Sequence, residues 1–244
     1  MNVGQGKESF DNAMYRAIHE MGYGGLNVEY ESGVTRRLDT VMRMHLNHNL
    51  TELHEDIQRT MGKQFGADGV EISVHGYPAP DHAEVQGHQF YKKEFEKFQT
   101  DQDCKDVNNI LFPAEFDGRD RRSIGQYNCR HYTFDIVVGV SKPNYTSEEL
   151  QKIINNNEKG FEYEGKHYTL YEGTQLQRRI ETAIRRWKDE QIFSKASNNQ
   201  KGILKSQNKI NQLVRKYYKL SKISGLPTKL ERIKVNGYRE VKDI

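Results

Sequence analysis

Between Val34 and Met61, apolar side chains return at helical intervals. Val34, Leu38, Val41, Met42, Leu46, Leu50, Leu53, Ile57 and Met61 form one stripe, with His45 on the same line. Recurrence at i, i+3 and i+4 over this length predicts an amphipathic α-helix, because a strand would repeat every two residues. Ser32 or Thr35 can cap its start, and Gly62 lies just past its end. At 1.5 Å per residue such a helix is ~40 Å long. Arg36, Arg37, Asp39, Glu52, Glu55 and Asp56 take the other face. The stripe is therefore expected to pack against a core, and the remaining chain must supply a surface for it.

That surface reads as a small sheet. Gly66-Ala67-Asp68-Gly69 is a turn, after which Val70, Ile72 and Val74 alternate with Glu71 and Ser73 in a half-buried strand. His131 to Val140 gives a second strand. Phe134, Ile136 and Val138 alternate there, and Val137 and Val140 make the other face apolar, so this strand is expected to be central. Residues 161–170 read as a hairpin with Glu164-Gly165 at the turn. Pro78 and Pro80 force an irregular loop, Tyr91 to Phe98 predicts one or two helical turns, and Ser147-Glu148-Glu149 opens a helix through Ile154. Residues 99–126, with Pro113 and Gly118, read as a long surface loop.

The C-terminal third is helical. Leu176, Ile180, Ala183, Ile184 and Trp187 make one stripe, and Ile203, Ile210, Leu213, Tyr217 and Leu220 make another. Asn198, Asn199 and Gly202 separate them, which predicts an antiparallel αα-hairpin. Gly225 and Pro227 end it, and Leu230 to Val235 reads as a last strand. Met14 to Met21 predicts a short helix ended by Gly22, Gly24 and Gly25. The expected fold is α+β: a long N-terminal helix on a small mixed sheet of residues 70–75, 131–140 and the 161–170 hairpin, with a basic C-terminal αα-hairpin. The expected organisation is a mobile segment 1–33, a core domain 34–171 and a basic region 172–244.

Composition narrows the class. The apolar fraction of 35% lies below the usual ~45–50% and suggests long, solvent-washed helices. With 14 Tyr and 10 Phe the chain still buries a core and is not disordered. No apolar run approaches the ~18–20 residues of a membrane span, and no signal-peptide layout opens the chain, so no membrane partner is expected and the chain reads as made in the cytoplasm. Two cysteines do not make a disulfide framework.

The net charge of +3 is unevenly spread. Residues 172–244 hold 18 Lys/Arg against 7 Asp/Glu, whereas residues 1–171 hold 19 against 27. A basic region on an acidic body suggests a polyanion contact or a docking face. Arg178, Arg179, Arg185, Arg186, Lys188 and Lys195 fall on the first helix of the hairpin. Lys201, Lys205, Lys209, Arg215, Lys216, Lys219 and Lys222 fall on the second, with Tyr217 and Tyr218 interleaved. Cations along one face can neutralise phosphates, giving salt-dependent, sequence-independent binding to DNA. No recognition-helix motif is present, so no base reading is expected. Alternatively, the apolar stripes bind another protein chain or a second copy, and the charges keep the arms soluble.

Chemistry-bearing residues gather at two places. One is the loop Asp81-His82-Ala83-Glu84-Val85-Gln86-Gly87-His88, and the other is Asn128-Cys129-Arg130-His131. Three readings follow. The first is a metal, with zinc the natural choice for His and Cys donors, drawn from His75, His82, His88, Cys129 and His131. No CxxC spacing supports it. His82-Ala83-Glu84 fits the H-x-E of zinc deaminases, but the P-C-x-x-C half of that signature is missing. The second is catalysis: Cys129 as an activated thiolate, or His82, His88 and His131 with Arg130 as a nuclease-like acid, base and phosphate holder. The third is mechanical, in which these polar groups hydrogen-bond the proline-rich loop and lock it beside the second strand.

The motifs also form an ordered series: Gly66-Ala67-Asp68-Gly69-Val70-Glu71-Ile72-Ser73, Ala79-Pro80-Asp81-His82, Gln86-Gly87, Gly125 with Asn128-Cys129-Arg130-His131, Tyr168-Thr169 with Tyr171-Glu172, and Gln175-Leu176-Gln177-Arg178. This series resembles the phage minor capsid protein 2 family, which is similar to the Mu-type phage head morphogenesis proteins. The resemblance spans roughly residues 25–240. It implies a virion component present in few copies, assembled with portal and head in the host cytoplasm and associated with DNA packaging or delivery. It implies no established catalytic activity. Members of that family often carry a cysteine shortly before the Pro-Asp-His. This chain has Tyr77 there, which counts against a metal unless His75 or His88 replaces it. The N-terminal part is short for the family, so a portal-binding region there is expected to be reduced or missing.

Overall fold

The computed structural model describes residues 27–235 and 237–239. The helix expected at Met14–Met21 and most of the segment 1–33 lie outside these residues. The chain divides into two compact units, one of Thr40–Lys159 and one of residues up to Asp39 together with those from Gly160 onward.

The long helix is present, but it starts later than its periodicity implies. Residues 35–37 are β2 (Thr35–Arg37), paired antiparallel with β1 (Asn27–Glu29), and α1 runs Leu38–Phe65. Arg37 makes the difference. It is buried, and its guanidinium bonds Asp39 at 3.0 Å and Asp189 at 2.6 Å, holding its own backbone extended on the hairpin.

In the Thr40–Lys159 unit, β3 (Gly69–Ile72) lies between β4 (Gln89–Tyr91) and β9 (Thr133–Ile136), antiparallel to both. Three corrections follow. The sheet is antiparallel rather than mixed. Its third strand is 89–91, and the 161–170 hairpin is not part of it. The central strand is β3, and the strand expected to be central is at an edge. Gly69 explains the partner: a Cβ there would sit 2.7 Å from the Phe90 carbonyl oxygen, so only glycine lets these strands close up. Being central, β3 is buried on both faces, including Glu71. The Glu71 carboxylate accepts hydrogen bonds from Gln89 Nε2 at 2.8 Å and from Asn144 Nδ2 and N–H at 2.8 and 3.1 Å, so the buried charge is met on both oxygens.

The core of this unit joins Val70, Ile72, Val85, Phe90, Phe98, Cys104, Phe112 and Ile124. Three of these come from the segment expected to be a surface loop. It folds into two small ladders, β5 (Cys104–Lys105) with β6 (Leu111–Phe112) and β7 (Glu115–Phe116) with β8 (Arg119–Asp120). The second turns on Asp117-Gly118, both at positive φ, as a two-residue hairpin requires. The expected helices are present as α3 (Lys92–Gln99) and α4 (Ser147–Lys159), and a single turn, α2 (Pro80–Ala83), interrupts the proline loop.

The face that α1 turns inward is the polar one. His48 Nδ1 lies 3.1 Å from the Gly125 carbonyl, the His48 ring packs at a tilt on Tyr127 with centroids 4.2 Å apart, and His54 meets Tyr132 edge-on at 4.6 Å. Val41 and Gly62 are the buried residues of α1. Apart from Val41, the apolar stripe expected in the core is exposed.

The second unit is built around α5 (Leu170–Ala196) and α6 (Gln200–Ser224). Thr169 and Glu172 form a reciprocal capping box on α5, Asn199 caps α6, and Gly225 at φ 70° ends it. The nested pairs Gln191–Gln207, Glu181–Tyr217 and Gln177–Ser221 show the helices to be antiparallel. Their stripes bury Ile180, Ile184, Ile203, Ile210, Tyr217 and Leu220 against each other, so they are not available to a second chain. The hairpin β10 (Phe161–Tyr163) and β11 (Lys166–Tyr168) turns on Glu164-Gly165, both at positive φ. Leu230–Ile233 is a 3-10 turn rather than a strand, with its carbonyls taken by α5.

Tyr217 is fully buried; its hydroxyl donates to Glu181 at 3.0 Å and accepts the Lys229 N–H at 2.8 Å. Burial pushes its pKa from 10.0 to about 12. The folded state thus holds this proton more tightly, so the contribution is complete below pH 10 and is lost as pH rises towards 12. Tyr217→Phe should lower stability by about 1–3 kcal/mol in urea denaturation. It should also remove part of the alkaline destabilisation, and the exposed Tyr218→Phe should do neither.

Candidate functional site

The His/Cys cluster is assembled in the Thr40–Lys159 unit by the β3–β9 pairing. Past Ile72 the two chains stay together: the Ser73 N–H donates to the Tyr132 carbonyl at 2.9 Å, and the Tyr132 N–H donates to Ser73 Oγ at 2.9 Å. This sets the 73–88 loop beside 129–131. Pro80 keeps Ala79 extended and starts α2, which presents His82 at 2% exposure. On the other side Asn128 adopts φ 68°, a left-handed turn that asparagine tolerates, and the chain re-enters with Cys129 and His131 on one side.

Both rings have fixed tautomers. His82 Nε2 lies 2.7 Å from the Arg122 carbonyl oxygen, which can only accept, so Nε2 carries the proton. His131 Nε2 lies 3.2 Å from Gln86 Oε1, an atom that also takes the His75 N–H at 3.1 Å. It too must donate. Both Nδ1 lone pairs then face Cys129 Sγ, at 3.7 Å from His82 and 3.5 Å from His131. A thiol has one proton, and two acceptors confront it.

Electrostatics keep these groups neutral. Burial drives His131 down to about 2, helped by the neighbouring His75 and His82, and His75 down to about 4, helped by Arg130 and His82. Burial lowers His82 against the pull of Asp81, and it raises the Cys129 thiol. These directions oppose what an imidazolium acid or an activated thiolate requires near neutral pH.

Of the candidates, His82, Cys129 and His131 converge. His75 stacks on His131 with centroids 4.3 Å apart, but its Nδ1 accepts the Tyr77 N–H at 3.3 Å. His88 faces elsewhere: Gly87 at φ 76° turns the chain, and His88 bonds Asp106 at 2.9 Å and packs on Phe112. Arg130 lies half-buried near His75. Gln86, Arg121 and Arg122 are the site residues that the sequence reading missed. Gln86-Gly87 is legible as one motif of the ordered series, but nothing local marks the amide as a ring-orienting group. Arg122 holds Asp81 through two bonds of 2.6 and 2.7 Å. Arg121, 3% exposed, donates to the carbonyls of Asp81 and Pro113 at 2.7 and 3.2 Å and lies over Phe116.

The basic residues sort differently. Arg185 is buried, paired with Asp39 at 2.7 Å and bonded to the Arg232 carbonyl. Lys188 bonds the Ile233 carbonyl at 2.8 Å and covers Tyr238. Both are held by acceptors of the chain itself, and Arg185 is buried rather than on the outer face expected for it. Arg178, Arg179 and Arg186 line a shallow hollow on α5 with Gln175, Thr182 and Ala183. On α6, Lys201, Lys205, Lys209, Arg215, Lys216, Lys219 and Lys222 are all exposed, opposite buried Ile203, Ile210 and Tyr217. Lys216 also pairs with Glu164 at 3.3 Å. No Asp or Glu occurs from Gln191 to Leu230.

The family model for phage minor capsid protein 2 matches residues 1–220. The chain belongs to that family, and is therefore a structural phage protein of the virion. No curated protein and no solved structure matches it. No helix among the described residues is long and apolar enough to cross a membrane.

Arg121 ties α2, and so His82, to the β7–β8 ladder. Arg121→Met should lower stability by about 1–3 kcal/mol in chemical denaturation, since it strands two loop carbonyls. Arg179→Met, on an exposed side chain, should leave stability within about 0.5 kcal/mol.

Proposed function

We propose that this minor capsid protein contacts packaged DNA inside the head through the outer face of α6. The observation that carries this reading is the charge pattern. Seven cations lie within an arc of about 140° at 100° per residue, on a helix about 37 Å long, with no carboxylate on it. That length matches about one turn of B-form DNA. The face holds lysines rather than a set of base-reading side chains, so it binds phosphate and not sequence.

Binding to duplex DNA should be independent of sequence and should weaken about 10³-fold or more between 50 and 200 mM salt. Lys209→Gln with Lys219→Gln should reduce the slope of log affinity against log salt by about 2, read by fluorescence anisotropy. Absence of binding at low salt would remove DNA as the partner.

The exposed stripe of α1 favours a second contact, with a neighbouring capsid or portal protein. Met42, Leu46 and Leu50 repeat eleven residues on as Leu53, Ile57 and Met61. An 11-residue period keeps an apolar row nearly parallel to a helix axis. All six are at least 50% exposed, a continuous apolar row of the kind that marks a protein interface. Leu50→Glu with Ile57→Glu should leave the circular dichroism unchanged and deplete the protein from purified particles. Incorporation at the parental level would refute this contact.

A further inference from the structure

We propose that Cys129 Sγ, His82 Nδ1 and His131 Nδ1 bind a single zinc-class divalent cation that fastens the 73–88 loop to the 129–131 segment. The proposal concerns the other unit of the chain and stands or falls independently of DNA binding.

The first support is geometric. Tetrahedral zinc with a Zn–S bond near 2.3 Å and Zn–N bonds near 2.05 Å sets the sulfur and nitrogen ligands about 3.6 Å apart. The two S···N separations here are 3.7 and 3.5 Å. All three donor atoms lie within 4.8 Å of one another.

The second is the hydrogen bonding behind the donors, which is independent of the distances. Each ring spends its Nε2–H on an outer acceptor, the Arg122 carbonyl for His82 and the Gln86 amide oxygen for His131. Metal-ligating histidines are oriented in this way, with the second nitrogen donating outward and the first left with its lone pair. Hydrogen bonding alone leaves the cluster poorly satisfied, because the one thiol proton serves only one of two buried acceptors. A cation on the thiolate satisfies all three atoms at once.

His75 is not needed in the set. Its Nδ1 is occupied by the Tyr77 N–H, so three protein donors leave the fourth corner to water. Cys129 is the least buried of the three. The soft thiolate with two imidazoles selects zinc over magnesium or calcium.

The test uses the full chain, purified and dialysed against zinc or cobalt(II). We expect one zinc per chain by elemental analysis. Cobalt should give the visible bands of a tetrahedral ion and a thiolate-to-metal band in the near ultraviolet. Cys129→Ser should lose the thiolate band, and His82→Ala should lose bound metal. Gln86→Leu removes no ligand and should weaken zinc binding about 10–100-fold. Because ligand variants can unfold, the parent protein decides the matter. If it is folded by circular dichroism yet takes up no more zinc than a buffer blank and shows no cobalt–thiolate band, the proposal is wrong. A thiolate band that persists in Cys129→Ser would also overturn it, by assigning the metal to Cys104.

Discussion

The pairing of β3 with β9, carried past Ile72 by the two Ser73–Tyr132 bonds, is the constraint on which the Thr40–Lys159 unit depends. It sets two segments nearly sixty residues apart in register. One leads into a proline loop and the other leaves a left-handed asparagine. The His/Cys cluster exists because those two chain reversals face each other across the end of this ladder. Glu71 serves the same strand from the other side. Its buried carboxylate draws Gln89 and Asn144 onto the sheet, so β3 is covered on both faces and cannot slip in register without stranding a charge.

Around this ladder the usual division of labour along α1 is inverted. Its histidines and Gly62 face the segment 125–135, and its leucines face outward. Gly62 permits close approach, since a Cβ there would run into the Asp135 side chain, itself held by Lys92. Aromatic and histidine edges supply the packing that leucine would supply in an ordinary amphipathic helix. An apolar row left on the surface suits a protein whose place is inside an assembly. A helix whose outer-face charges are all cationic suits a polyanion contact. The two features lie in separate compact units.

The family's ordered motifs gain physical meaning from the structure. Tyr168-Thr169 with Tyr171-Glu172 contains the capping box of α5. Gly69 is the close strand approach, Gln86 orients His131, and Asn128 makes the turn into Cys129. None of these roles requires catalysis. The two imidazole rings, each held by an outer acceptor at Nε2, agree with a fastening role.

The sequence by itself determined the elements that rest on local energetics. The αα-hairpin, its Asn199 and Gly225 boundaries, the Glu164-Gly165 turn, the α+β class and the charge division follow from periodicity, capping and backbone freedom within a few residues. The nomination of His75, His82, His88, Cys129 and His131 also rests on local signals, the prolines and an Asn-Cys-Arg-His run, which do not say which of the five converge. Tertiary structure decided everything that depends on which face finds a partner. Periodicity tells that α1 has two faces, but only the presence of Tyr127, Tyr132 and Asp135 opposite it decides which is turned inward. Alternation marks 131–140 as apolar, but strand order, set by the Gly69 approach to Phe90, puts β3 in the middle. His88 and His131 look alike in the sequence; Gly87 turns one towards Asp106, and the ladder brings the other to Cys129. Arg185 and Arg186 are neighbours of equal charge, and their depth on α5 makes one a buried anchor and leaves the other half-buried at the edge of a hollow.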